Sequence, residues 1–194
     1  VSTITHSSTS DDNNFDSLTI NRVVATIGDN DVAAVSLSAT SLNVDEAGAN
    51  DSYTLVLDSQ PQETVTVILT GDSQIGLSTA SVDFTSLNWH IPQMITVNAV
   101  DDAAQEGGHS ATINHTVSSG DLDFDSLAIS DVTVNITDND TAGVSVNPGT
   151  VNIAEGGATD TYNIVLTALP TDNVTVTITS DSQVTLNSAT LVFT

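Results

Sequence analysis

Acidic residues gather at the ends of alternating apolar segments in this sequence. In Ser130–Val146, SDVTVNITDNDTAGVSV, one apolar alternation runs directly into Asp138-Asn139-Asp140, and a second alternation follows at once. The same layout occurs in Val23–Leu37, VVATIGDNDVAAVSL. Carboxylate and amide oxygens at such a junction are ligands of hard divalent cations, so cation binding is the first chemistry that these residues suggest.

The charge of the chain points the same way. It has 25 acidic residues and a single basic residue, Arg22, which gives a formal net charge of −24. Nucleic acid is excluded as a partner, because phosphate binding requires clustered Lys and Arg. Hydrophobic residues make up 39% of the chain and alternate regularly, which favours a folded protein over a disordered one. A folded protein of this charge must be screened by salt or bind cations.

Other classes of function lack the residues that they need. Cysteine is absent, so disulfide, thiol and zinc-ribbon chemistry are excluded. No apolar run approaches the ~18 residues of a membrane span, so we expect a chain that does not span a membrane. The sequence has no GxSxG, HExxH or phosphate-cradling glycine motif, and we expect no enzyme.

The chain contains an internal repeat. Residues 1–85 align with residues 110–194 without a gap, and 38 of the 85 aligned pairs are identical. A period of about 109 residues suits a whole domain rather than a solenoid repeat of ~20–50 residues. We therefore predict three parts: residues 1–31 as the C-terminal part of one repeat, 32–140 as a complete repeat, and 141–194 as the N-terminal part of the next.

Apolar residues recur with a period of two through the complete repeat, and no segment has a helical period. Seven short segments are rich in Val, Ile and Thr and are bounded by Gly, Asp, Asn or Ser. This pattern predicts an all-β fold of tandem immunoglobulin-like antiparallel β-sandwiches. The predicted strands are Ala34–Ser38, Ser52–Asp58, Thr64–Thr70, Val82–Thr85, Gln93–Val100, Ala111–Val117 and Asp131–Thr137.

Sandwich topology predicts that the acidic loops meet at one end of the domain. Successive loops in such a fold alternate between its two ends, so the loops after the first, third and fifth predicted strands share an end with the exit of the last. Carboxylates packed together repel each other, and no Lys is available to neutralise them. Calcium, with six to eight oxygen ligands in flexible loops, suits this end better than magnesium does. The acids placed there are Asp45, Glu46, Asp51, Asp72, Asp101, Asp102, Glu106, Asp138 and Asp140.

Three motifs of the complete repeat resemble the Calx-β domain family. They are a Glu-x-Gly near the start (Glu46–Gly48), an Asp-Asp-x-x-x-Glu-Gly loop (Asp101–Gly107) and a closing strand that ends in Asp-Asn-Asp. The resemblance implies a calcium-binding sandwich of the kind found in exchanger regulatory domains and in tandem repeats of large bacterial surface proteins. The calcium ligands that it implies are Glu46, Asp101, Asp102, the carbonyl of Ala104, Glu106, Asp138 and Asp140.

The sequence also departs from that family. Gln74 stands where the family often has Asp, and no further acid follows Glu106 in GGHSA, so we expect fewer or weaker calcium sites. Partial sites are expected at Asp29, Asp31 and Glu155 in the incomplete repeats. The histidines are predicted not to bind metal: His115 falls on an apolar face, as a core residue would, and His109 is about 20 Å from it along a strand.

These observations support two functions of different classes. The first is a calcium-rigidified segment of a long extracellular or cell-surface stalk, adhesin or filament. The alternative is an accessory carbohydrate- or protein-binding module of a secreted multidomain enzyme. The expected partners are neighbouring repeats of the same or like chains, with a surface glycan or a protein as a further ligand.

The incomplete repeats raise the question of head-to-tail assembly. Residue 194 corresponds to position 85 and residue 1 to position 110, so two joined copies would lack equivalents of residues 86–109. Those residues include a strand and the Asp-Asp loop. We therefore expect a piece of a longer chain rather than a self-completing filament subunit.

Overall fold

The computed structural model describes residues 1–28 and 30–194, which form two compact units, Val1–Val32 and Ala33–Thr194. The described residues form β-strands and no α-helix, so none belongs to a helix able to span a membrane. The strands are β1 Ser2–Ile4, β2 Val23–Ala25, β3 Val35–Leu37, β4 Ser41–Asp45, β5 Asp51–Leu57, β6 Val65–Thr70, β7 Ile75–Leu77, β8 Ser81–Phe84, β9 Gln93–Ala99, β10 His109–Ser119, β11 Val132–Thr137, β12 Val144–Asn147, β13 Asn163–Leu166, β14 Val174–Thr177 and β15 Thr190–Phe193.

Strands β3 to β11 build an immunoglobulin-like sandwich. One sheet has the order β4-β11-β10-β6-β8 and the other β3-β5-β9-β7. All neighbouring strands are antiparallel except β4 and β11, which run parallel from Ser41 beside Thr133 to Asp45 beside Thr137. This parallel pairing is important for the candidate site, because it brings the C-terminal ends of both strands to the same end of the sandwich.

Alternating apolar residues fill the space between the two sheets. On β6, Val65, Val67 and Leu69 are buried while the residues between them face outward, as the period of two predicts. Tyr53 and Phe84 are the largest of the fully buried side chains. Burial of a side chain of this size stabilises a fold by about 1.5–3 kcal/mol, so the complete repeat has a core of its own.

The structure confirms the predicted all-β sandwich and adds two strands to the seven that were predicted. β4 alternates buried and exposed residues over SLNVD, but its Asn, its Asp and the following Glu-Ala-Gly made it read as a loop. β7 has three residues with a glycine in the middle, which is too short for a periodic signal. Elsewhere the strand ends differ from the predicted ones by one or two residues.

The 109-residue repeat extends to local geometry within each unit. Thr3 pairs with Val24 as Thr112 pairs with Thr133, at equivalent positions of two hairpins. Ser17 and Ser126 are equivalent and both adopt positive φ, at 55° and 58°. The repeat found in the sequence is therefore a repeat of structure. The predicted boundary between residues 140 and 141 stays a prediction.

His115 is a hydrogen-bonded core residue, as predicted. Its Nδ1 lies 3.1 Å from the carbonyl oxygen of Ser130, which can only accept, so Nδ1 carries the hydrogen. The other nitrogen, Nε2, therefore accepts from the Tyr53 hydroxyl at 2.8 Å. Burial lowers the pKa of His115 and raises that of Tyr53, so the pair is neutral in the folded protein at pH 7.

We expect Tyr53→Phe to destabilise the sandwich by about 1–3 kcal/mol, because it leaves the buried Nε2 of His115 without a donor. Urea unfolding followed by circular dichroism measures the effect. The matched control is Tyr162→Phe at the equivalent, partly buried position of the next repeat, where we expect a smaller change. Equal effects at the two positions would contradict this account of the Tyr53–His115 pair.

Candidate metal centre

Three chain segments meet beyond the ends of β4 and β11. The backbone N–H of Glu46 donates to the carbonyl of Thr137 at 3.1 Å, which continues the parallel pairing one residue past β4. Glu46 is thereby held beside the acidic exit of β11, at Asp138–Asp140. The loop after β9 and the first residue of β10 complete the site. One structural relation, the parallel register, thus decides which acids become neighbours.

Glu46 is the buried carboxylate of this site. Its residue is only 6% exposed, and its Oε2 atom has no hydrogen-bond partner among the described residues. Burial raises the pKa of Glu46, and the negative charges of Asp138 and Asp102 raise it further. Buried, unpaired carboxylates are costly, so the environment of Glu46 calls for a positive charge.

Asp138 organises the backbone around the site. Its Oδ1 accepts from the N–H of Asp140 at 2.7 Å, and its Oδ2 accepts from the N–H groups of Glu106 and Gly107 at 2.8 and 2.6 Å. These bonds, led by that from Asp140, lower the pKa of Asp138. Gly107 has φ of +70°, a conformation that only glycine adopts freely and that turns both N–H groups toward one carboxylate oxygen.

Asp140 carries the second unpartnered oxygen. Its Oδ2 atom is buried and has no hydrogen-bond partner in the described part of the chain. Burial raises the pKa of Asp140, with further contributions from the charges of Asp138, Asp101 and Asp102. Backbone hydrogen bonds thus favour the ionised form of Asp138, whereas burial and neighbouring negative charges disfavour the ionised forms of Glu46 and Asp140.

The Asp-Asp loop connects the site to the segment that follows β11. Asp102 accepts from the N–H of Ala104 at 2.7 Å, and Asp101 accepts from the Asn139 side chain at 3.2 Å. Ala104 forms a bridge with Leu169, whose N–H lies 2.6 Å from the carbonyl of Ala103. The loop thus contacts both the acid cluster and the next repeat.

Glu106 lies between Gln74 and His109. The Gln74 side-chain amide donates to both of its carboxylate oxygens, at 2.8 and 2.7 Å. On the other side, Nε2 of His109 lies 3.5 Å from Glu106 Oε2. Gln74, which the sequence marks only as a departure from the family pattern, is here the residue that orients Glu106.

Two groups of side chains bring their ligand atoms within 4.8 Å of one another. One is Glu46, Asp138 and Asp140; the other is Glu46, Glu106 and His109. Glu46 belongs to both. Two ligands of one calcium ion are at most about 4.6–5.2 Å apart, twice the Ca–O distance, so the spacing of the oxygen-only group suits that ion.

The remaining predicted acids lie outside these groups. The negative charges of Asp101 and Asp102 contribute to the raised pKa of Asp140. The carboxylate of Asp51 accepts hydrogen bonds from the N–H groups of Asn43 and Ser52, which lower its pKa. These bonds give Asp51 a structural role in the fold.

The partial sites have their own outcomes. Glu155 is exposed in a turn, and Asp31 belongs to the separate unit Val1–Val32. Asp29 lies outside the described residues. Neither Glu155 nor Asp31 joins a ligand group among the described residues, so these partial sites stay predictions.

Sequence reasoning missed His109. Spacing along one strand places His109 about 20 Å from His115 and indicates nothing about contacts across a loop. The relevant distance is across the Gly107-Gly108 turn, which returns the chain so that His109 faces Glu106. A Glu-Gly-Gly-His sequence directly before a strand was the available signal.

No family model and no curated protein matches the chain. Among solved structures, the periplasmic chaperone SfaE is 8% identical with a TM-score of 0.43, over 55% of this chain and 58% of that one. The apo-form Calx CBD1 domain is 18% identical with a TM-score of 0.41, over 56% of this chain and 99% of that one. The calcium binding domain CBD12 of CALX1.1 is 13% identical with a TM-score of 0.40, over 54% and 44%.

Proposed function

We propose that Glu46, Asp138 and Asp140 hold a calcium ion, with Asp101, Asp102, Glu106 and the carbonyl of Ala104 as the further oxygen ligands nearby. The observation that carries the proposal is the buried Glu46, whose Oε2 has no hydrogen-bond partner among the described residues and which shares the site with Asp140, a half-buried acid whose Oδ2 atom is buried and likewise without a partner there. The chain has no Lys, and calcium would supply the positive charge that these acids need.

The donor set fits calcium by its chemistry. All three residues of the oxygen-only group offer carboxylates, and the surrounding loops add backbone carbonyls, which are the ligands that calcium prefers. The bound ion would favour the ionised forms of Glu46 and Asp140, against the burial that raises their pKa values. Calcium binding and proton binding therefore compete at this site.

The same ion would stiffen the junction with the next segment. Gln105 accepts through its side-chain oxygen from the N–H of Ala142 at 3.1 Å, and the Ala104–Leu169 bridge lies two residues from Asp102. Without a cation, repulsion among the acids opposes the loop conformation that makes these contacts. With one, the Asp-Asp loop and the exit of β11 are tied to one centre.

We infer from this joint, together with the 109-residue repeat, that the chain is part of a calcium-rigidified extracellular stalk, adhesin or filament. A row of similar sandwiches whose junctions are set by an ion is a rod in calcium and a flexible string without it. High ambient calcium outside the cell suits a site of modest affinity, roughly 10⁻⁴–10⁻³ M for extracellular modules. No catalytic role is part of this proposal.

Amide hydrogen exchange tests the joint at single residues. In millimolar calcium, the amides of Ala142 and Leu169 should exchange more slowly than in chelator, because their acceptors lie on the Asp-Asp loop. Magnesium at equal concentration should have a weaker effect, since it demands a rigid octahedral site.

The variant pair Asp102→Asn with Asp140→Asn should remove most of this protection. Asp125→Asn is the control: that carboxylate accepts from the N–H of Ser119, at the far end of the 11-residue strand β10. Calcium-independent exchange at Ala142 and Leu169 in the unaltered chain would overturn the proposed joint.

The accessory binding module remains the second candidate. Leu87 and Met94, which are close in sequence to the partly buried Trp89, are 83% and 66% exposed. Trp89 packs against the core, however, which favours a structural role over stacking on a sugar. Retention of the chain on milled insoluble polysaccharide, with or without calcium, would favour the module over the stalk.

A further inference from the structure

We propose a second metal position beside the calcium site, formed by Glu46, Glu106 and Nε2 of His109, that takes a borderline divalent ion such as Zn²⁺. The proposal goes beyond the calcium function: it shares Glu46 and the more distant ligand Glu106 with that site, and His109 belongs to it alone. The ligand atoms of the three residues lie within 4.8 Å of one another. Glu46 is more than nine-tenths buried, and its Oε2 atom, like Nε2 of His109, has no hydrogen-bond partner among the described residues.

The hydrogen bonds of His109 leave Nε2 free for a metal. Nδ1 lies 2.9 Å from the carbonyl oxygen of Gly107, which can only accept, so Nδ1 carries the hydrogen. In the neutral ring, the lone pair is then on Nε2. A backbone carbonyl bound to the other ring nitrogen is the usual support of a metal-ligating histidine, because it fixes the tautomer and the orientation of the ring.

An ion pair with Glu106 does not account for Nε2. The 3.5 Å from Nε2 to Glu106 Oε2 is longer than a charged N–H···O bond of about 2.7–2.9 Å, and Nε2 is buried without a hydrogen-bond partner in the described residues. Two ligands of a tetrahedral zinc ion with bonds of about 2.0–2.1 Å are about 3.3 Å apart. The observed separation is therefore close to that of two ligands of one small ion.

The donor types separate the two positions. An imidazole nitrogen with two carboxylates suits zinc and related ions, whereas the oxygen-only group suits calcium. Gln74 holds Glu106 by both oxygens, yet a carboxylate has about four lone-pair sites, so Glu106 can bind a metal while it keeps this support. Glu46 belongs to both groups, and its negative charge would offset part of the repulsion between two bound ions.

The experiment titrates the whole chain with Zn²⁺ and, separately, with Ca²⁺ by calorimetry. His109→Asn should weaken Zn²⁺ binding by at least about tenfold, since even the outer-shell partners of a ligating histidine change metal affinity roughly 10–100-fold. The same variant should keep its response to Ca²⁺. Asp140→Asn should show the opposite pattern. His90→Asn, at an exposed histidine, controls for zinc bound at the surface.

A measurement on the unaltered chain guards against variants that do not fold. Zn²⁺ should shift the imidazole nuclear magnetic resonance signals of His109 and leave those of His115 in place. Unchanged Zn²⁺ affinity in His109→Asn, or an unshifted His109 signal, would overturn the zinc position. The proposed function would still be supported if calcium binding depended on Asp140. If the unaltered chain bound Zn²⁺ through His109 but did not bind Ca²⁺, the calcium proposal would be overturned and the zinc position would stand.

Discussion

Replacing Glu46 by Gln is expected to abolish the stabilisation of this protein by calcium and, in chelator at pH 7, to make the protein more stable than the unaltered chain. Glu46 is the one ligand common to both groups, so no metal position keeps its full donor set. A ligand at one hundred times its Kd stabilises by about 2.7 kcal/mol, and this gain should disappear. For a domain of this size the corresponding loss in Tm is roughly 5–20 °C.

The gain in chelator follows from the raised pKa of Glu46. A group whose pKa is higher in the folded than in the unfolded state stabilises fully below its unfolded value, and this contribution is lost as pH rises through the folded pKa. Gln resembles the protonated acid at every pH. The advantage of Glu46→Gln in chelator should therefore be small near pH 4.5 and grow toward pH 7.

Differential scanning calorimetry across this pH range, with calcium and with chelator, measures both effects. Burial lowers the pKa of His115, so its contribution to the stability of the fold decreases as pH falls below 6.5. Both proteins contain His115, so this contribution cancels in the difference between them. Glu63→Gln is the matched control, since Glu63 is exposed and belongs to neither ligand group. A Glu46→Gln protein that calcium stabilises as strongly as before would refute the site.

The fold could be predicted from the sequence because its signal is periodic. Buried and exposed residues alternate along β6, β10 and β11, and the flanking turn residues mark their ends. The parallel pairing of β4 with β11 could not be predicted, because alternation specifies which face of a strand is buried and not which strand lies beside it. That pairing is nevertheless what places Glu46 next to Asp138.

The candidate site was predictable in the residues that belong to motifs. Glu46, Asp138 and Asp140 could be named from short patterns, and the structure brings their ligand atoms together. The positions of Gln74 and His109 depend on how two loops fold against each other, through single contacts that have no period in the sequence. The chemical character of the second metal position depends on those two residues.

Truncation of the Ile113 side chain in the core of the complete repeat is expected to cause a large loss of stability. The residue is fully buried on β10, and Ile113→Ala should destabilise by about 2–5 kcal/mol, because it removes apolar contacts and leaves a cavity. Its repeat equivalent, Ile4 on β1, is 51% exposed in this chain, so Ile4→Ala should change the stability by about 0.5 kcal/mol or less.

The two variants make the same chemical change in the same sequence motif, so their difference isolates burial. Urea unfolding measures both losses: the near-ultraviolet signal of Trp89 follows the core that contains Ile113, and far-ultraviolet circular dichroism follows the strands of the whole chain, including β1 with Ile4. Equal losses of stability in the two variants would mean that Ile4 is covered in solution, either by another part of the same chain or by a second copy of it. Dilution of the sample would then distinguish the two cases, because only cover by another copy weakens as the protein concentration falls.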